Sequence, residues 1–122
     1  SMSITEFGKA VRKARIAADN VSLASMAAEL QTTPSFLSAL EMGRKKIPAE
    51  WVGKIESFFA RRGITVAGLR ERADVANKAV PIDGLSPAQQ MLVAGFARVN
   101  LDEAELAKFT ELLSINKVKG AP

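Results

Sequence analysis

The chain has 122 residues, 48% of them hydrophobic and 25% charged, which fits one compact domain or one small domain with an appendage. The near-average composition excludes wholesale disorder, no apolar run approaches the roughly 20 residues of a membrane span, and no signal-peptide pattern is read. Cys, His and Tyr are absent, which removes disulfides, thiolate nucleophiles, Cys-based zinc sites and the commonest general base. The expectation is a cytoplasmic, non-catalytic binding protein that needs no cofactor and no metal. Ser1 ahead of Met2 reads as an expression scar.

The net charge of +4 is unevenly spread: residues 1–78 hold thirteen Lys/Arg against eight Asp/Glu, and residues 79–122 hold four against five. A basic amino-terminal part attracts polyanions, because phosphate neutralisation releases counterions. Ordinary solvated Lys and Arg are the plain alternative, and an excess of this size does not decide between them.

No alternation of apolar and polar residues is long enough to argue a strand, so an all-α fold is expected. The first helix is predicted over residues 4–18, with Ser3 as N-cap and Glu6 completing a capping box. Phe7, Val11 and Ala14 form its apolar stripe, Lys9, Arg12, Lys13 and Arg15 its basic remainder, and Asp19-Asn20 closes it. Ser22 caps a short second helix reaching about Leu30, with Leu23, Met26, Ala27 and Leu30 inward. After the tight Gln31-Thr32 connection, Thr33-Pro34 restarts a helix at once, since Thr caps and Pro favours the first helical position. Leu37 and Leu40 face inward; Phe36 either packs inward or lies on the outer face. Gly43 ends this helix, and Arg44-Lys45-Lys46 follows as a basic loop.

Pro48 starts a fourth helix with Val52, Ile55, Phe58 and Phe59 inward and Trp51 partly so. Arg61-Arg62-Gly63 stops it, the two cations complementing the helix macrodipole. A fifth helix is predicted over 65–79 on the spacing of Val66, Leu69, Ala73 and Ala76. Pro81, Asp83 and Gly84 mark a break, and Ser86-Pro87 repeats the cap-plus-proline start. The sixth helix carries Met91, Leu92, Phe96 and Val99; the seventh, over 102–116, carries Leu106, Phe109, Leu112 and Leu113. Asp102-Glu103 reads as charge at a helix N-terminus. The expected organisation is a domain over 3–79, a linker over 80–87, a helical hairpin over 88–116 and a flexible tail over 117–122.

The informative stretch is VSLASMAAELQTTPSFLSALEMGRKK, residues 21–46. Two short helices joined by a turn too small for an antiparallel pair must cross steeply. That is helix-turn-helix geometry, which leaves the amino end of the second helix projecting. Val11-Arg12-x-x-Arg15, Ser22-Leu23-Ala24-Ser25-Met26-Ala27, Thr33-Pro34-Ser35-Phe36-Leu37-Ser38 and Leu40-Glu41-x-Gly43-Arg44 stand in order along the chain. Over residues 7–59 this set resembles the Cro/C1 (Xre) family of phage-type repressors. Gln31 stands where many members have Gly, so the turn must accommodate a side chain there.

The resemblance implies a five-helix DNA-binding domain of that type and particular residue roles. Pro34, Ser35, Ser38 and Ala39 would face the bases of the major groove; Ser pairs with either base type and short side chains can meet a thymine methyl. Thr33, Arg44, Lys45 and Lys46 would hold phosphates, and Ser22, Leu23 and Ser25 would offer another phosphate the backbone N–H groups of the second helix. Arg15 and Glu41 would form a structural ion pair between the first and third helices. The last two helices cannot bury their own stripes, so Leu92, Phe96, Val99, Leu106, Phe109 and Leu113 would join two copies into a homodimer. Such a dimer sets its recognition helices about 34 Å apart on an inverted repeat. The implied function is a transcriptional regulator of operator DNA, a repressor of phage or mobile-element type controlling its own promoter. The alternative is an antitoxin-like protein that engages a protein partner through its last helices.

Overall fold

The computed structural model describes the backbone over residues 3–119 and the side chains over residues 3–113. Among the described residues the fold is all-α: seven helices, with no strand. They are α1 (Glu6–Ala17), α2 (Leu23–Glu29), α3 (Pro34–Glu41), α4 (Ala49–Ala60), α5 (Leu69–Asn77), α6 (Pro87–Phe96) and α7 (Glu103–Lys119). The chain divides into two compact units, the first ending at Pro81 and the second starting at Ile82.

Local chemistry sets the helix starts. Thr33 and Ser86 each accept a hydrogen bond from the backbone N–H three residues on, and each is followed by Pro at the first helical turn. Ser22 caps α2 in the same way, accepting from the Ser25 N–H at 3.0 Å. Asp102 and Glu105 form a reciprocal capping box ahead of α7: Asp102 Oδ1 accepts from the Glu105 N–H, and Glu105 Oε1 accepts from the Asp102 N–H. α1 departs from expectation. Its N-cap is Thr5, whose hydroxyl accepts from the Gly8 N–H at 3.0 Å, and the helix starts at Glu6. Thr5 supersedes Ser3 because it is tied to α3 as well as to α1: its N–H and its Oγ1 both donate to the Glu41 carbonyl, at 3.1 and 2.9 Å.

The helix ends are equally explicit. At α3 the Gly43 N–H reaches the Leu40 carbonyl and the Arg44 N–H reaches the Ala39 carbonyl, with Gly43 at φ +73°, a Schellman end that turns the chain sharply. α2 closes with the same two bonds, Gln31 to Ala28 and Thr32 to Ala27, but here a glutamine takes the left-handed position at φ +57°. α5 is shorter than the expected 65–79. Gly68 at φ +66° blocks an earlier start, and Lys78 at φ +56° ends the helix at Asn77.

The core of the first unit draws on five helices. Phe7, Val11 and Ala14 meet Met26 and Ala27, Leu37 and Leu40, then Val52, Ile55, Phe58 and Phe59, and finally Leu69 and Ala73, with Ile47 from the loop. Burying a large apolar side chain contributes about 1.5–3 kcal/mol, so this cluster is the main favourable term for the unit. Leu23, Leu30 and Phe36 sit half-buried at its margin. Phe36 packs against Trp51, ring centroids 4.9 Å apart, and Lys54 Nζ lies 4.6 Å from the Trp51 ring centre.

Ion pairs and side-chain clamps hold the elements in place. Asn77 secures the loop before α4, its Oδ1 accepting from the Ile47 N–H at 2.7 Å and its Nδ2 donating to the Ile47 carbonyl at 2.9 Å. Arg61 and Arg62 do more than complement the end of α4, since both pair with Glu29 on α2. Arg62 also donates to the Phe58 carbonyl at the end of α4 and stacks on the Phe58 ring. The hydrogen bond from Arg62, opposed by desolvation and reinforced by Arg61, holds Glu29 below the ordinary carboxylate range.

In the second unit α6 has no buried residue, and its contact with α7 includes an edge-to-face pair of Phe96 and Phe109 at 5.1 Å. α6 begins at Pro87, inside the expected linker 80–87, because Ser86 caps it. α7 continues to Lys119, past the expected end at residue 116, so residues 117–119 of the expected tail are helical. Residues 120–122 of that tail lie outside the described residues. No helix among the described residues is long and apolar enough to cross a membrane.

Candidate nucleic-acid interface

α2 and α3 pack against each other, and α3 packs on α1. Leu37 and Leu40 turn into the core, which leaves Pro34, Ser35, Ser38 and Ala39 on the outer side of α3. Pro34 and Ser35 are exposed, while Ser38 and Ala39 are half-buried. These four residues, with Leu23 from α2 and Arg44 and Lys45 from the loop after α3, line one shallow concavity of about 520 Å³. Its lining combines three apolar side chains (Leu23, Pro34, Ala39), two hydroxyls (Ser35, Ser38) and two cations (Arg44, Lys45).

Four other expected site residues, Lys46, Ser22, Ser25 and Thr33, make hydrogen bonds within the chain. Lys46 is exposed, but its Nζ reaches the Asn77 carbonyl at 3.4 Å, at the end of α5. The Ser22 hydroxyl accepts from the Ser25 N–H and donates to the Ser25 hydroxyl, so the two serines at the start of α2 are engaged with each other. The Thr33 hydroxyl accepts from the Phe36 N–H as the cap of α3.

Behind the concavity, α3 is held by a charged cluster at its far end. Glu41 is only 3% exposed, and its carboxylate pairs with Arg15 through one oxygen and with Arg12 Nε, at 3.2 Å, through the other. Arg15 is also well covered, at 12% exposure, whereas Arg12 is half-exposed. The second cation escapes sequence reasoning because Arg12 sits on a helix face already rich in Lys and Arg. Gly8 completes the junction: a Cβ there would run into the Glu41 carbonyl group and the Ile4 side chain. Thr5, Gly8 and Arg12 are one turn apart or nearly so on α1, and this spacing is the only sequence signal of their shared role.

Among the described residues no group of three or more His, Cys, Asp or Glu is placed to hold a metal ion. A groove of about 490 Å³ between α1 and residues 64–67 has an alanine wall formed by Ala10, Ala14 and Ala17. Of its charged lining, Lys9 pairs with Glu6 and Arg72 donates to the Ala67 carbonyl. Asp74 on α5 lines a groove with Ile47, Val52 and Ala73 and with the polar side chains of Lys46, Arg70 and Asn77. Desolvation, and then the nearby Glu71 carboxylate, raise its carboxyl above the ordinary aspartate value. Comparison with protein-family models, with curated proteins and with solved structures returns no match for this chain.

Proposed function

We propose that the chain is a sequence-specific, double-stranded-DNA-binding regulator built on a Cro/C1-type five-helix domain, with α2 and α3 as its helix-turn-helix. In this reading it is a non-catalytic repressor of phage or mobile-element type acting at an operator near its own promoter. The observation that carries the reading is the shared concavity of α3's outer residues with Arg44 and Lys45. Short side chains there admit a base-pair edge, and the two cations beside them meet the flanking phosphates. The buried Glu41 cluster supports it, because a helix that reads bases must be held at a fixed angle.

The second unit supplies the proposed homodimer contact. Met91 and Leu92 are about three-quarters exposed, and Phe96, Val99, Leu106, Phe109, Leu112 and Leu113 are also exposed. With ordinary residue areas, the uncovered parts of these eight side chains amount to roughly 900 Å², against about 800 Å² per partner in a stable interface. A different protein seated on this face, as in an antitoxin-like role, is the alternative. Sedimentation distinguishes them: a dimer at micromolar concentration that Leu92→Glu with Phe109→Glu converts to monomer supports self-association, and a monomeric parent chain assigns the face to another protein.

Fluorescence anisotropy with random and selected duplexes, at several salt concentrations, tests DNA binding itself. Arg44→Ala and Lys45→Ala should each weaken binding to every duplex and lower the salt slope by about one. Equal, negligible affinity for all duplexes at low salt, or variants that leave the salt slope unchanged, would refute the interface.

A further inference from the structure

We infer that the site recognises its DNA through the 5-methyl groups of thymines, so that its target is rich in A·T pairs at the contacted steps. This rests on the DNA-binding reading above and specifies which base edges occupy the concavity. α3, Pro-Ser-Phe-Leu-Ser-Ala-Leu-Glu, contains no Arg, Lys, Asn, Gln or His. It therefore lacks every side chain that grips guanine or adenine with paired hydrogen bonds. Its one charged residue, Glu41, is buried and held by Arg15 and Arg12, so it cannot accept from cytosine. What the helix does present is apolar carbon: the Pro34 ring and the Ala39 methyl, joined in the same concavity by Leu23 from α2.

A thymine methyl is the one apolar group exposed in the major groove. Ser35 and Ser38 sit among these carbons, and a hydroxyl both donates and accepts, so it tolerates the polar edge beside that methyl. Arg44 lies in the loop beyond α3 and lines the same concavity, so a forked contact from it to guanine is the competing outcome that the guanine replacements detect.

The test uses the whole protein and a duplex selected from random sequence. Each thymine is replaced in turn by uracil, which removes the methyl and nothing else, and each guanine by 7-deazaguanine, which removes the N7 acceptor. Uracil at the contacted positions should weaken binding about fourfold per methyl, while 7-deazaguanine should have no effect. Ala39→Gly should abolish the uracil penalty at one position and leave the others intact. Selective binding that is indifferent to every uracil and sensitive to 7-deazaguanine would overturn the thymine assignment alone. Failure to select any duplex over random DNA would overturn the interface as well.

Discussion

Replacing Glu41 by Gln should destabilise the first unit far more than an ordinary surface charge change. The carboxylate is almost fully covered and lies between two guanidinium groups, one of them also covered. Gln keeps the size and one acceptor but leaves Arg15 charged and uncompensated in a poorly hydrated position. Breaking a buried pair in this way costs about 3 kcal/mol or more. A unit of this length has a stability of about 4–12 kcal/mol, so the change removes a quarter or more of it and lowers Tm by about 12–24 °C. Arg15→Ala should cost a similar amount. Arg12→Ala should cost less than about 1 kcal/mol, because its guanidinium is half in water. Arg15→Met combined with Glu41→Leu should recover most of the loss, since no buried charge is then unpaired. The assay is urea unfolding followed by the fluorescence of Trp51, the only tryptophan, which rests on Phe36 of α3. A cost below about 1 kcal/mol for Glu41→Gln, or equal costs for Arg12→Ala and Arg15→Ala, would refute the reasoning.

Three further outcomes follow from the same structure. Gln31→Gly should stabilise the unit by about 1 kcal/mol in thermal or urea unfolding, because Gly relieves the left-handed strain at φ +57° and gives back part of that gain as unfolded-chain entropy. Gly8→Ala should destabilise it strongly, as the new methyl would meet the Glu41 carbonyl, and the loss should appear in Tm and, under the proposed function, in DNA affinity as well. Asp74→Asn should raise Tm at about pH 7 and bring a shrinking advantage towards about pH 3. The sign follows from its raised native pKa: the neutral carboxyl favours the fold fully at low pH, and that contribution is lost as pH rises through the raised value. A larger benefit in acid than at neutrality would contradict this origin.

Much of the fold is written in local signals. Ser22, Thr33-Pro34 and Ser86-Pro87 announce helix starts, and Gly43 announces an end, because each acts through bonds to its immediate neighbours. The apolar spacing of Phe7, Val11 and Ala14, and of Val52, Ile55, Phe58 and Phe59, identifies core faces for the same reason. What escapes is tertiary. Nothing near Ser3 reveals that Thr5 outcompetes it through a bond to residue 41, nor does the basic face of α1 single out Arg12 as a partner of Glu41. Asn77, which clamps Ile47 across 30 residues, looks like any polar residue near a helix end. Gly68 is a local signal that the spacing of Val66 with Leu69 overrides in a periodicity reading, and its positive φ shortens α5. The candidate site was legible as a set of residue types, but the grouping of Leu23 with α3's outer face, and the turning of Lys46 towards Asn77, depend on how the helices pack.

The stitch from Thr5 to the Glu41 carbonyl fixes the tilt of α3 from a point far away in sequence. Displacing the segment ahead of α1, by a deletion reaching Thr5 or a bulky fusion pressed against it, would therefore act as a remote hand on α3. Under the proposed function, operator discrimination would blur while the side chains assigned to DNA stayed intact, and affinity tags should leave that junction clear.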